Sequence, residues 1–258
     1  MRKIGLLLLL VVCFFVKNAE SEEFLQKMQV EIGVFDAAEV ELFYKEFDGK
    51  YVINADVKTA NFFNTMYPFR GKYEARGIDY RGDIKPVIYM TETKSRNHVR
   101  TKKIFYDNQG VAYKRESTKD EKKSEVLIKD VPNSADASDL QTVFAELIKK
   151  FSKNRSCQLT REIYDGKKHY RVIAEDKGVE NRWFDFMKKN DNAYKCSIFI
   201  KNLKENNDNI LWDVSADKPI NLWLGVDKTT GLPLIYEIKI DSTPLGELKV
   251  MPSNLDVK

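Results

Sequence analysis

Leaving aside Cys13 near its start, this chain of 258 residues has four side chains of the types that most often do chemistry: the thiols of Cys157 and Cys196 and the imidazoles of His98 and His169. A zinc site needs more ligands than these four can be expected to bring together, so no metal is expected. His98 sits in Arg96-Asn97-His98-Val99-Arg100 and His169 follows Lys167-Lys168. Neither has a recognisable partner motif, and both read as strand or surface histidines. The chain has no Gly-x-Ser-x-Gly elbow, no glycine-rich phosphate loop and no His-Glu-x-x-His helix. Acidic pairs such as Glu22-Glu23 and Glu175-Asp176 are what a composition of 32% charged residues supplies unaided. The expectation is therefore no catalytic residue, no cofactor and no enzyme.

The cysteines say more about compartment than about catalysis. Arg2 and Lys3 precede an apolar run from Ile4 to Val16, and Lys17-Asn18-Ala19-Glu20-Ser21 then leads into Glu22-Glu23. A charged start, a short apolar core and small residues before a cut define a secretory signal. Ala19 and Ser21 suit the peptidase, so residues 1–21 read as a signal peptide and residues 22–258 as a single β-rich domain, exported to the periplasm. An uncleaved anchor would need roughly 20 apolar residues. A lipoprotein would have a small residue before its acylated cysteine, and Val12 precedes Cys13. The cleaved chain then has no transmembrane anchor.

The formal charge of +4 falls to about +2 with the signal removed. Lysine-rich stretches such as Lys119 to Lys123 are interleaved with acids, so no nucleic-acid partner is expected. Cys157 and Cys196 remain as an even count in an oxidising compartment, which predicts a disulfide; two free buried thiols are the alternative.

Tyr51, Ile53, Ala55 and Val57 alternate with polar residues, the period-two pattern of a strand with one buried face. The same alternation runs through Tyr170-Val172-Ala174, Tyr194-Cys196-Ile198-Ile200, Ile220-Leu222-Leu224-Val226 and Leu234-Tyr236-Ile238-Ile240. Asp165-Gly166 and Thr230-Gly231 read as hairpin turns, so the sheet is expected to be mostly antiparallel. Leu140, Val143, Phe144, Leu147, Ile148 and Phe151 recur instead at helical spacing, with Pro132-Asn133 in the loop before them. Ser138 is the expected cap, answered by Gln141. Phe144, Leu147 and Ile148 should point at the sheet, and Glu146 and Lys149 away from it.

Two aromatic groups fall outside the alternation, Phe62-Phe63 with Tyr67 and Phe69, and Trp183-Phe184 with Phe186. Buried, they would be lids on the core; exposed, they would mark a binding surface or a membrane-touching loop.

The chain resembles the bacterial family known as domain of unknown function 3108 over roughly residues 40–250. The resemblance rests on Phe43-Tyr44 with Asp48-Gly49-Lys50-Tyr51, on Gly82-Asp83-Ile84-Lys85-Pro86, and on Asp136 to Leu147. It continues through Cys157, Tyr164-Asp165-Gly166-Lys167-Lys168-His169-Tyr170, Tyr194-Lys195-Cys196, Leu222-Trp223-Leu224 and Thr230-Gly231-Leu232-Pro233. The stretch from Lys177 to Asn192 departs from the family pattern as an insertion. The resemblance implies a mainly β fold, a curved antiparallel sheet forming a lipoprotein-carrier-like half-barrel with one amphipathic helix across it. It implies no activity that can be assigned to particular residues.

Such a sheet leads to two functional expectations. The first is a non-enzymatic envelope protein that binds an apolar ligand, a lipid or a lipidated partner in its groove. The alternative is a solidly packed structural or interaction protein whose partner is another envelope protein. Groove or core would be lined by Ile53, Val57, Phe144, Leu147, Ile148, Leu222, Leu224, Tyr236 and Ile238. Periodicity alone does not separate pocket from core, because both bury the same face.

Overall fold

A computed structural model describes residues 22–253 apart from 81, 129–137, 165–168, 204–217, 229–230 and 244–245. The signal segment, the Asp165-Gly166 turn and Pro132-Asn133 lie outside the described residues. Eight strands come first: β1 Glu22–Ile32, β2 Phe35–Phe47, β3 Lys50–Thr59, β4 Phe69–Tyr80, β5 Asp83–Ser95, β6 Val99–Tyr106, β7 Ala112–Lys119 and β8 Lys122–Leu127. Six more follow: β9 Leu159–Tyr164, β10 His169–Phe184, β11 Lys189–Asn202, β12 Ile220–Val226, β13 Pro233–Thr243 and β14 Gly246–Pro252. Two helices interrupt them, a short α1 over Asn61–Met66 and the amphipathic α2 over Leu140–Asn154. The sequence pattern anticipates α2 alone; α1 occupies the first of the two aromatic connections.

All fourteen strands form one antiparallel sheet in the order β8-β7-β6-β5-β4-β3-β2-β1-β14-β13-β12-β11-β10-β9. The chain starts in the middle, meanders out to β8, crosses to the far edge at β9, and meanders back until β14 pairs with β1. The sheet is curved and stays unclosed, and α2 belongs to the crossover between its two edges. Ser138 joins the β9 edge by a parallel bridge to Ile163, which ties the start of α2 to that edge.

The local chemistry follows the turns. Asp48 and Gly49 both take positive φ, 48° and 67°, in the two-residue connection between β2 and β3, the geometry that matches the twist of paired strands. Lys177 to Asn192 extends β10 and β11 into a long hairpin. Where β13 has run beyond β14, Gln26 replaces a neighbouring strand. Its side-chain amide donates to the Ile235 carbonyl at 2.7 Å and accepts from the Ile235 amide at 3.1 Å. A buried backbone left unpaired would cost far more than the net gain of an ordinary hydrogen bond.

The main core lies between the concave face and α2. Tyr44, Ile53, Ala75, Ile104, Phe151 and Ile163 are fully enclosed there. A second, smaller cluster of Phe184, Ala193, Trp223, Leu234 and Tyr236 packs apart from it. No helix among the described residues is long and apolar enough to cross a membrane.

Candidate functional site

The floor of the concave face is α2, and its N-terminus is capped differently from the sequence expectation. Asp139, not Ser138, is the cap: it accepts from the Thr142 amide at 2.8 Å and from the Thr142 hydroxyl at 2.7 Å. The Thr142 oxygen is then free to accept from the Tyr51 hydroxyl at 2.7 Å, so Tyr51, Thr142 and Asp139 form one buried chain. Gln141 does not answer a cap at Ser138, because the helix begins one residue later. The hydroxyls of Ser138 and Tyr106 are buried without a hydrogen-bond partner among the described residues.

Burial pushes the Asp139 carboxyl up to about 6, its cap hydrogen bonds pulling the other way but less strongly. The folded state therefore prefers the protonated acid. Its contribution to stability is complete below the unfolded value near 3.8 and is lost as pH rises through 6. A shift of this size corresponds to about 3 kcal/mol. Asn caps helices as well as Asp, so Asp139→Asn should remove the slope. Between pH 4 and pH 7 the urea midpoint of the variant is expected to rise relative to the wild type by the equivalent of about 3 kcal/mol. Parallel pH curves for the two proteins would show that Asp139 does not titrate in this window.

Further along α2 the sequence reading is corrected at Lys149. It was expected to face solvent, yet its side chain is 9% exposed and is held by Glu46 at 2.7 Å and by Asp79. Phe144, expected inward, is only half-buried, whereas Val143, Ala145, Leu147, Ile148 and Phe151 are buried. The helix is enclosed around more than one stripe because the curved sheet wraps it, so a position adjoining the apolar face is buried whatever its type. Glu146, half-buried, pairs with Arg161 through two nitrogens, Nε at 2.8 Å and Nη2 at 2.5 Å. The signal for Lys149 was present in its place between Ile148 and Phe151, both on the buried face.

Cys157 and Cys196 are joined, with 6.2 Å between their Cα atoms, at the foot of α2. Both are buried, and Asp176 accepts from the Cys157 amide at 2.7 Å and from the Ser156 hydroxyl at 2.7 Å. The two sulfurs and the Asp176 carboxylate are close enough to hold a metal, but sulfurs bonded to each other offer no thiolate ligand. The bond fits an oxidising compartment. The histidines have separate settings: His98 is exposed and bonded to Asp120 at 2.7 Å, and His169 is buried and bonded to Glu162 at 2.8 Å.

Of the residues expected to line groove or core, Ile53, Leu147, Ile148, Leu222 and Leu224 are packed in the main core. Val57, Phe144 and Ile238 are half-buried. Tyr236 is a correction. It packs in the second cluster, 5.2 Å from Phe184 and 5.7 Å from Phe186, over Gly225, where an added Cβ would fall 2.1 Å from its ring. The cause is a bulge: Trp223 pairs with Glu237 while Leu224 pairs with Ile235, so one residue of β13 is extra and the alternation changes phase there. Beside this cluster Arg182 lies 4.1 Å over the Trp223 ring and 3.1 Å from the buried Glu237.

Beyond the helix floor the concave face remains partly uncovered. Val40, Ala55, Ile198, Ile200, Ile238 and Val250 pack against the main core yet are only half-buried. A cavity of about 570 Å³ adjoins the band at Val40 and is lined by Met28, Ala38, Val40, Val57 and Gly71 together with charged residues that include Glu39, Asp56, Lys58 and Arg70. Lys58 and Glu39 pair across it at 2.8 Å.

No family profile matches this chain, and no curated protein matches it. Among solved structures it is similar to a β-barrel-like protein of domain of unknown function DUF1849 from Brucella abortus, with a TM-score of 0.52 and 9% sequence identity. The match covers 92% of this chain and 98% of that one, and it shows a shared β-barrel-like fold.

Proposed function

We propose that the protein is a non-enzymatic, exported envelope protein of the periplasm that holds an apolar ligand, such as the acyl chain of a lipid or of a lipidated partner, against its concave face. The observation that carries this reading is the half-buried band of Val40, Ala55, Ile198, Ile200, Ile238 and Val250 above a packed helical floor. Inward-facing apolar side chains in a filled barrel would be buried throughout, and burying the remaining area of this band would contribute about 25 cal/mol per Å². An unclosed sheet leaves the band a way in. The buried disulfide supports export.

The opposite reading, an interaction protein without ligand, draws on the dense packing of α2 and on the charged residues that share the lining of the 570 Å³ cavity with its apolar ones. Mass spectrometry of organic extracts from gently purified protein separates the two. Lipid recovered in a fixed ratio to protein, and displaced by a fluorescent fatty-acid probe, is the expected result. Clean extracts together with no probe binding would leave the interaction protein as the better account.

A further inference from the structure

One end of the sheet carries its own chemistry, apart from the concave band. Hydrogen bonds tie the connections at that end to their neighbours. The Gly33 amide, in the β1–β2 turn, donates to the Glu247 carbonyl at 2.9 Å, and the Ala60 amide, before α1, donates to Ala37 at 2.9 Å. Arg96, in the β5–β6 turn, donates to the Thr65 carbonyl of α1 at 2.8 Å. The Val99 amide donates to the Asp120 carboxylate of the β7–β8 turn at 3.0 Å. This rim is therefore one continuous surface.

Its apolar content is turned outward. Helix α1 buries no residue at all, and Phe62 is 62% exposed, Met66 48% and Tyr67 68%. Beside them, Val34 in the β1–β2 connection is 91% exposed and Phe35 at the start of β2 57%. A six-residue helix with no fully buried residue contributes little to stability, and large side chains gathered in solvent mark a contact surface.

The charges of the same rim are arranged against the fold's own interest. Lys58, which pairs with Glu39 at 2.8 Å on its other side, lies directly opposite Arg70, and Arg70 opposite Lys94, across three neighbouring strands. On the opposite face of the sheet, since Lys94 pairs with Val99 and Arg100 with Thr93, Arg100 lies opposite Lys119, and Lys119 opposite Lys122, across three more strands, so the two rows flank the rim from either side. Like charges placed directly across a sheet are destabilising. Two such rows beside exposed aromatic and methionine side chains make sense against a surface that is both negatively charged and apolar just beneath its charges.

We propose that this rim docks the protein on the anionic leaflet of a lipid bilayer, with Phe62, Met66, Tyr67 and Phe35 entering the headgroup boundary and the two cationic rows meeting lipid phosphates. Binding of this kind adds buried apolar area to electrostatic attraction, so it depends on both and weakens with salt. It extends the carrier reading by supplying a place for ligand exchange, but it rests on a separate surface and is tested separately.

The test is sedimentation of the signal-cleaved protein with vesicles of phosphatidylglycerol and phosphatidylethanolamine, and with vesicles of phosphatidylcholine alone. Binding to the anionic vesicles is expected, stronger by roughly tenfold or more than to the neutral ones and reduced as salt rises from about 0.05 to about 0.5 M. Arg70→Glu with Lys94→Glu, and separately Phe62→Ser with Tyr67→Ser, should each lower it by roughly tenfold. These positions are exposed, so no variant should lower its unfolding midpoint, and Arg70→Glu with Lys94→Glu, which relieves the facing like charges, should raise it slightly. Trp183→Ser removes another exposed aromatic outside the rim and should leave vesicle binding unchanged. Equal binding by all variants, loss with Trp183→Ser alone, or no preference for anionic lipid would overturn the proposal. A protein that binds the fatty-acid probe but ignores both vesicles also overturns it, in favour of a protein partner at this rim, while leaving the carrier reading intact. Rim-dependent vesicle binding without probe binding supports the docking and removes the carrier.

Discussion

Lys149→Met is expected to destabilise the protein by about 3–5 kcal/mol, the usual cost of removing one partner from a buried ion pair. The ammonium stands between Glu46 and Asp79, with Lys149 and Asp79 each 9% exposed and Glu46 20%. Removing it leaves two carboxylates facing each other with little water to screen them. The three groups come from β2, from the end of β4 and from α2, so this contact also holds the helix against the sheet. Urea unfolding with the disulfide intact measures the effect. A triple variant, Lys149→Met with Glu46→Gln and Asp79→Asn, should recover a large part of the loss, because no uncompensated charge then remains buried. If Lys149→Met alone unfolds at the wild-type midpoint, the lysine is solvated and the helix sits higher on the sheet than described.

Phe151→Ala should cost a similar amount, about 3–5 kcal/mol, from lost burial together with the cavity it leaves. The ring is fully buried, meets Tyr194 edge-on at 5.1 Å between centroids, and carries the Arg155 guanidinium 5.6 Å above it. Arg155 is the left-handed cap that ends α2 and donates to the Gly231 carbonyl at 2.9 Å, so Phe151 anchors the helix terminus as well as filling the core. Phe144→Ala, on the same helix, should cost only about 1–2 kcal/mol because Phe144 is half-buried. A groove ligand would make the two variants differ further, with Phe144→Ala altering probe binding and Phe151→Ala leaving it alone. Equal destabilisation by both would mean that the helix is rotated from the orientation described.

These contrasts show where one-dimensional reading stops. The helix was legible, since six apolar residues from Leu140 to Phe151 keep its period, but its orientation was not. A stripe predicts which side is most apolar; it does not say how far a curved sheet wraps around it. Hence Lys149 was assigned to solvent, whereas Phe144, Leu147 and Ile148, assigned to the interior, do pack against or within the main core. Tyr236 fails for a different reason. Alternation is a local rule that holds until an extra residue enters the strand, and the bulge opposite Trp223 and Leu224 leaves no signature in the residue types.

By itself the sequence determined the fold class, the antiparallel pairing, the place of the long helix and a disulfide between Cys157 and Cys196, because these depend on period-two and period-3.6 burial, on turn chemistry and on cysteine parity. Tertiary structure decided the rest. The return of β14 to β1 set the two meanders side by side, a pairing over 200 residues of sequence apart that no local pattern encodes. The crossover from β8 to β9 brought α2 to Glu46 and Asp79, and the successive pairings of β2 to β8 gathered Phe35, Phe62, Tyr67 and the facing cations at one rim. Strand register brings like charges opposite each other and burial separates floor from band, and both are properties of neighbours in space rather than neighbours in the chain.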